Sequence, residues 1–278
     1  MAKMNQEPAV QHKHRVVTTK TVVDMKRQGE KITMLTAYDF SVAKLLDQVG
    51  IDMILVGDSV GNVVQGNVTT LPVTLDDMIY HANAVKKAVK NALIVVDMPF
   101  MTYQNNEEEA VRNAGRIMKE VGAGAVKLEG GEYIAKTVRH LVQIGIPVMG
   151  HLGLTPQAIN KFGTYEVRAT DRKEADQLLK DAQVLSDAGV FAIVLEKIPA
   201  KLAKKVTEKI PVPTIGIGAG QHCDGQVLVV HDMLGLTEDF KPRFVRRYAE
   251  LAETMRGAFS QYIDDVKSKK FPNSEESY

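Results

Sequence analysis

Six short apolar runs in this sequence end in ionisable side chains. Ile-Leu-Val-Gly ends in Asp58-Ser59, Leu-Ile-Val-Val in Asp97, and Ala125-Val126 leads into Lys127-Leu128-Glu129. Val148-Met149-Gly150 ends in His151, Ala-Ile-Val-Leu in Glu196, and Val-Leu-Val-Val in His231-Asp232. Taken singly, each has a plain structural reading. An Asp after a strand caps a helix or turn, a lone His hydrogen-bonds within a core, and Lys197, beside Glu196, faces solvent. Brought together, they imply chemistry. Asp58, Asp97 and Glu129 gathered in one poorly solvated place need a counter-charge. All-oxygen donors suit a hard divalent ion such as Mg²⁺. Lys127 and Glu129 are two residues apart, so on a strand they point to one side. One can then meet a substrate carboxylate while the other meets a metal.

A fold must gather these residues, and the rhythm of the chain suggests which. Ile- and Val-rich runs at 31–38, 51–58, 92–98, 125–129, 147–152, 191–197, 214–218 and 226–231 alternate with longer segments of helical character. The runs are continuously apolar, as in parallel strands covered on both faces. Thr74-Leu-Asp-Asp77 reads as a capping box. Residues 106–121 read as a helix with apolar positions at Ala110, Val111, Ala114, Ile117 and Met118. Residues 171–188 open on Asp171 and are stopped by Gly189. Phe244, Tyr248, Leu251, Met255 and Phe259 recur at helical spacing. Eight strand–helix alternations predict a (β/α)8 TIM barrel, with an open doubly wound sheet as the alternative. In a barrel the chemistry lies at the C-terminal strand ends, where the ionisable residues fall.

Length and composition agree. The chain has 278 residues, 45% hydrophobic and 25% charged, values of an ordinary globular protein. No low-complexity linker divides it, which favours one catalytic barrel over 17–267, a loose arm over 1–16 and a tail over 268–278. A net charge of +1 argues against nucleic acid or an anionic membrane surface as partner. The single cysteine, Cys223, cannot form an internal disulfide. With no signal-like or membrane-spanning apolar stretch, the expected setting is cytoplasmic. Gly216-Ile-Gly218-Ala-Gly220 departs from a dinucleotide fingerprint at Gln221 and reads as close packing or a ligand-facing loop at a barrel mouth. No P-loop, HExxH or GxSxG occurs.

Thr36-Ala-Tyr-Asp39, Val56-Gly-Asp-Ser59, Val64-Gln-Gly66, Thr70-Leu-Pro-Val-Thr74, Asp97-Met-Pro-Phe100, Val126-Lys-Leu-Glu-Gly-Gly131, Gly150-His-Leu-Gly-Leu-Thr-Pro-Gln157 and Gly216-Ile-Gly-Ala-Gly220 occur in this order. As a set they resemble the ketopantoate hydroxymethyltransferase family over nearly the whole chain. The resemblance implies transfer of a one-carbon unit from 5,10-methylenetetrahydrofolate to 3-methyl-2-oxobutanoate, giving 2-dehydropantoate on the route to pantothenate. It also implies a Mg²⁺ requirement and a homodecamer built as a pentamer of dimers. Carried over by motif, Asp58, Asp97 and Glu129 match metal-site residues, Ser59 and Lys127 match substrate-binding positions, and Glu196 matches the general base. Asp58 and Asp97 are expected to meet the substrate as well, and His151 to orient it or shuttle a proton. The nearest enzymatic rival is a phosphoenolpyruvate mutase or isocitrate-lyase-like barrel, against which the stretches around Lys127–Gly131 and Gly150–Gln157 argue. A non-catalytic metabolite-binding barrel is the other alternative, and the intact set of rim residues argues against it.

Overall fold

A computed structural model gives the structure of the chain and describes residues 15–278. The arm expected over 1–16 lies almost wholly outside the described residues. Contacts divide the chain into two compact units, one ending at Val227 and the other comprising Leu228–Tyr278. The first begins with α1 (Thr19–Gln28) and continues through β1 (Ile32–Thr36), α2 (Phe40–Gln48), β2 (Met53–Val56), α3 (Val60–Val63), α4 (Leu75–Ala88) and β3 (Leu93–Asp97). It goes on with α5 (Glu107–Arg116), β4 (Ala125–Glu129), α6 (Ala135–Gln143), β5 (Val148–Gly153), α7 (Ile159–Phe162), α8 (Arg172–Ala188), β6 (Ala192–Glu196), α9 (Ala200–Lys209), β7 (Thr214–Ile217) and β8 (Gly225–Leu228). The strands are parallel neighbours in chain order and close on themselves, so the expected (β/α)8 barrel is the one observed. Among the described residues no helix is long and apolar enough to cross a membrane.

Strand alternation sorts the side chains into an inner and an outer set. Ile32 and Met34, Met53 and Leu55, Leu93 and Val95, Ala125, Met149, Ala192 and Val194, Ile215 and Val227 form one buried cluster, together with Val17, Val22 and Met25 at α1. These inward positions fill the lower barrel and α1 covers its base. Lys26 of α1 fastens that cover, its ammonium donating to the carbonyls of Thr207 (2.8 Å) and Val212 (3.0 Å) and to Asp224 Oδ2 (2.9 Å). Two residues further along β3, β5 and β6 come Asp97, His151 and Glu196, and two and four residues further along β4 come Lys127 and Glu129. The same pleat therefore yields a dry floor and an ionisable ceiling.

The helix signals act as expected. Thr74 and Asp77 form a capping box on α4, Asn106 caps α5, and Asp171 and left-handed Gly189 bracket α8. The helix expected through residue 121 passes at Ile117–Val121 into a π turn. Asp47 has another task. Its buried carboxylate accepts from the backbone N–H groups of Lys90, Asn91 and Ala92, fixing the entry to β3. Burial opposes its ionisation, but these donors outweigh it and hold the carboxyl below its ordinary range.

Two expectations are corrected in the second unit. The eighth strand stops at Leu228, and His231-Asp232 lie in the one-turn helix α10 (Val230–Met233) rather than at a strand end. Hydrogen bonds from Asp232 and Met233 to the Val229 carbonyl coil this apolar run, whose composition alone fits strand or helix. The periodic residues Phe244 and Tyr248 precede the helix, which is α11 (Leu251–Lys267). Tyr248 N and Leu251 N donate instead to the Met233 and Leu234 carbonyls, and Arg247 holds the Thr237 and Glu238 carbonyls.

Candidate active site

Register brings the ionisable residues face to face. Asp97 pairs with Lys127 across β3 and β4, and Glu129 with His151 across β4 and β5. The Lys127 ammonium stands 2.9 Å from Asp97 Oδ1, and the other Asp97 oxygen accepts from the Asp58 backbone N–H at 3.0 Å. Asp58 thus joins from the loop after β2, and Ser59 follows it with its hydroxyl 2.7 Å from the Tyr38 phenol. The imidazole of His151 spans two acids, Nδ1 at 3.2 Å from Glu129 Oε1 and Nε2 at 3.2 Å from Glu196 Oε2. Lys127 Nζ is a further 3.2 Å neighbour of Nδ1. Every residue expected at the site from the first unit is therefore here: Asp58, Ser59, Asp97, Lys127, Glu129, His151 and Glu196.

Two residues that the sequence did not single out complete it. Gln157 lies in a single 3-10 turn, Pro156–Ala158, just beyond β5. Its amide nitrogen donates to Asp58 Oδ2 (2.9 Å) and its backbone N–H to Glu129 Oε2 (3.0 Å). The buried Tyr103 hydroxyl lies 2.8 Å from Gln157 Oε1 and accepts from the Glu129 backbone N–H at 3.0 Å. Neither residue is charged, so charge and periodicity gave no signal. Gln157 closes the Gly150–Gln157 stretch, and that was the available hint.

Lys197 was expected to face solvent. It is partly buried and donates to the Tyr165 carbonyl, while its own carbonyl accepts from Arg168 N at 2.8 Å. The loop before α8 is thereby tied to the residue after Glu196. The glycine cluster after β7 shows the packing alternative: a Cβ on Gly220 would lie 2.5 Å from that of Ala200.

The electrostatics are those of an acid cluster with one fixed cation. Asp58, Asp97, Lys127, Glu129 and His151 are all at most 4% exposed. Burial, followed by the charges of Asp97 and Glu129, pushes Asp58 up to about 8. Burial also raises Asp97, against the pull of Lys127. Burial disfavours the Lys127 ammonium, but the three acids around it outweigh that and hold its proton more tightly. Burial and Lys127 work against charge on His151, yet Glu129 and Glu196 lift it to about 9. Left to themselves, the acids are neutralised partly by retained protons.

That excess of acid is where a metal would act. Among the described residues no three acidic, His or Cys side chains close around one point as a formed metal site. Their oxygens are turned onto Lys127, Gln157 and His151 instead. The donor set nevertheless fits a hard divalent cation. Asp97 Oδ1 and Glu129 Oε1 are buried oxygens without a well-aligned hydrogen bond, and a cation would replace the protons that burial forces on the cluster.

The chain is similar to known proteins along most of its length. The family model described as ketopantoate hydroxymethyltransferase matches residues 16–274. The 3-methyl-2-oxobutanoate hydroxymethyltransferase of Chlorobium phaeobacteroides is 59% identical over 272 residues, covering 96% of this chain and 98% of that one. The protein of that name from Christiangramia forsetii is 60% identical over 262 residues, covering 94% and 96%. Among solved structures, 2,3-dimethylmalate lyase, of the PEP mutase/isocitrate lyase superfamily, shares the fold with a TM-score of 0.60 at 15% identity, covering 94% of this chain and 92% of that one. Phosphonopyruvate hydrolase gives 0.62 at 12%, covering 94% and 93%. The length and level of these matches show that the chain belongs to the ketopantoate hydroxymethyltransferase family.

Proposed function

We propose that this chain transfers a hydroxymethyl group from 5,10-methylenetetrahydrofolate to 3-methyl-2-oxobutanoate, giving 2-dehydropantoate and tetrahydrofolate. The family and the names of its relatives support the overall activity. The observation that carries the mechanism is the buried acid cluster with its single fixed ammonium at the C-terminal mouth of the barrel.

The reaction must remove the C3 proton of a 2-oxo acid and tolerate the negative charge that results. Glu196 is the base that takes this proton, and His151, 3.2 Å away, orients its carboxylate and shares the charge. Lys127 and the Ser59 hydroxyl hold the substrate carboxylate, with Tyr38 fixing the direction of the hydroxyl. Mg²⁺, held by Asp58, Asp97 and Glu129, would supply Lewis-acid charge to the substrate oxygens. The enolised C3 then attacks the methylene carbon of the folate. Of the two C–N bonds to that carbon, one is replaced by the new C–C bond and the other by a C–O bond to water.

Our reading extends to the first committed step toward pantothenate, a cytoplasmic setting and a homodecamer built as a pentamer of dimers. Helix α11 buries none of its residues and exposes Met255, Phe259, Tyr262 and Ile263, a composition suited to contact with another copy. Light scattering on the purified chain reads that assembly.

The chemistry is tested by proton NMR of 3-methyl-2-oxobutanoate in D₂O. Metal-dependent loss of the C3 proton signal is expected without folate, and 2-dehydropantoate only once the folate is added. Glu196→Gln should abolish the exchange while leaving oxo-acid binding within a few-fold. Exchange that persists in this variant removes Glu196 as the base, and a wild-type protein with neither exchange nor product overturns the function.

A further inference from the structure

One uncharged residue reaches two acids of the cluster, Asp58 through its side chain and Glu129 through its backbone. Gln157 Nε2 donates to Asp58 Oδ2 at 2.9 Å and to the Met98 carbonyl at 3.0 Å. Its Oε1 lies 2.8 Å from the Tyr103 hydroxyl and accepts from Gln104 Nε2 at 3.1 Å. Its backbone N–H donates to Glu129 Oε2 at 3.0 Å. Pro156 opens the turn, and the first N–H groups of such a turn have no acceptor within it, so the Gln157 N–H is free to point at a carboxylate. The residue is 6% exposed and Tyr103 1%.

These contacts fix the amide. Two donors converge on its oxygen, so its NH₂ must face Asp58. A side chain from the β5 loop thereby sets one oxygen of the acid after β2 and, through its backbone, one oxygen of the acid ending β4. The geometry points to Gln157 as a positioning residue: it pins one oxygen each of Asp58 and Glu129 and leaves the other for a divalent cation and the substrate. Tyr103 acts one step behind, holding the amide the right way round. This inference rests on the metal-dependent reading above.

Hydrogen-bond partners behind ligating carboxylates are worth about 10–100-fold in metal affinity. The test uses the full chain without substrate and reads Mn²⁺ binding by EPR of the free ion. Gln157→Met keeps the backbone N–H and approximate volume but removes the side-chain donors and acceptor, and it should raise the Mn²⁺ Kd about 10- to 100-fold. Tyr103→Phe should raise it less, and the double variant should be no worse than Gln157→Met alone, because the two act through one contact. In turnover, kcat should return to within a few-fold of wild type at saturating metal while the metal activation constant stays raised. A merely structural role would lower the melting temperature and leave Kd unmoved.

A Kd for Gln157→Met within twofold of wild type overturns the inference. Should that variant fail to fold, an unchanged Kd in Tyr103→Phe does the same. Absence of Mn²⁺ binding in the wild-type protein removes the metal-dependent reading and this inference together. Binding in wild type that the variants do not alter removes only the role of Gln157.

Discussion

Replacing Lys127 with Met isolates the electrostatic problem at the centre of the site. Met keeps most of the aliphatic stem and leaves little cavity, so what is lost is the charge. That charge stands 2.9 Å from Asp97 Oδ1, with both side chains almost fully buried. At an effective dielectric of about 20 the pair attraction is about 6 kcal/mol, and part of it offsets the desolvation of the ions. Removing one partner of such a pair costs about 3–5 kcal/mol, because the other is left buried and uncompensated. In a chain of this size each kcal/mol moves the midpoint by about 2–4 °C, so K127M should melt about 10 °C below wild type at pH 7.5 in EDTA. The acids can escape by taking up protons, so the deficit should shrink at pH 5.5. Saturating Mg²⁺ should raise the melting temperature of K127M more than that of wild type, since it enters a cluster that has lost the ammonium beside Asp97. Thermal melts of both proteins under these three conditions decide the matter. A loss under 2 °C at pH 7.5, or an equal loss at both pH values, refutes the account.

The same cluster gives the metal-free protein an alkaline weakness. Asp58 sits at about 8 against an ordinary 3.8, and His151 at about 9 against 6.5. Between each pair of values the folded protein keeps a proton that the unfolded chain has released. Both contributions are complete below the unfolded value and vanish as pH rises through the folded one. The melting temperature in EDTA should therefore fall from pH 6.5 to 9, and a level or rising curve contradicts the assignment. Gly153→Ala tests the seat of Glu196. Gly153 has φ +94°, and a Cβ there would lie 2.2 Å from the Glu196 carbonyl oxygen. The substitution should cost about 3 kcal/mol or more and abolish C3–H exchange, whereas a normal melt with normal exchange would show that this approach is not needed.

The barrel was legible because β2 to β6 are buried on both faces along nearly their whole length and so read as unbroken apolar runs, whereas β1 and β8 expose alternate positions. The ring of charged residues was legible because each interrupts such a run at its C-terminal end. What was not legible has a physical reason in each case. Gln157 reaches Asp58 across 99 residues of sequence from a one-turn element with no period to detect. Tyr103 looks like any aromatic core residue until its hydroxyl is traced to Glu129 and Gln157. The run before His231 satisfies strand and helix composition equally, and only its local hydrogen bonds decide between them. Phe244 and Tyr248 carry a helical period, yet the Tyr248 N–H and that of Leu251, at the start of α11, are taken by carbonyls upstream, so the period outruns the helix.

The strongest constraint on the site comes from side chains that take no part in its chemistry. Val126 and Leu128 are fully buried between Ala125, Lys127 and Glu129, and by alternation they face the helices while the others face the barrel axis. Slipping β4 by one residue against β3 and β5 would turn both apolar side chains inward and drive Lys127 and Glu129 into the apolar helix layer, where an unpaired charge is far more costly than in the mouth. The observed pairings of Asp97 with Lys127 and Glu129 with His151 are therefore enforced from outside the barrel. Substitutions in that outer layer, at Leu128 for example, reach the site through register alone, even though the side chain they change lies on the far face of the sheet.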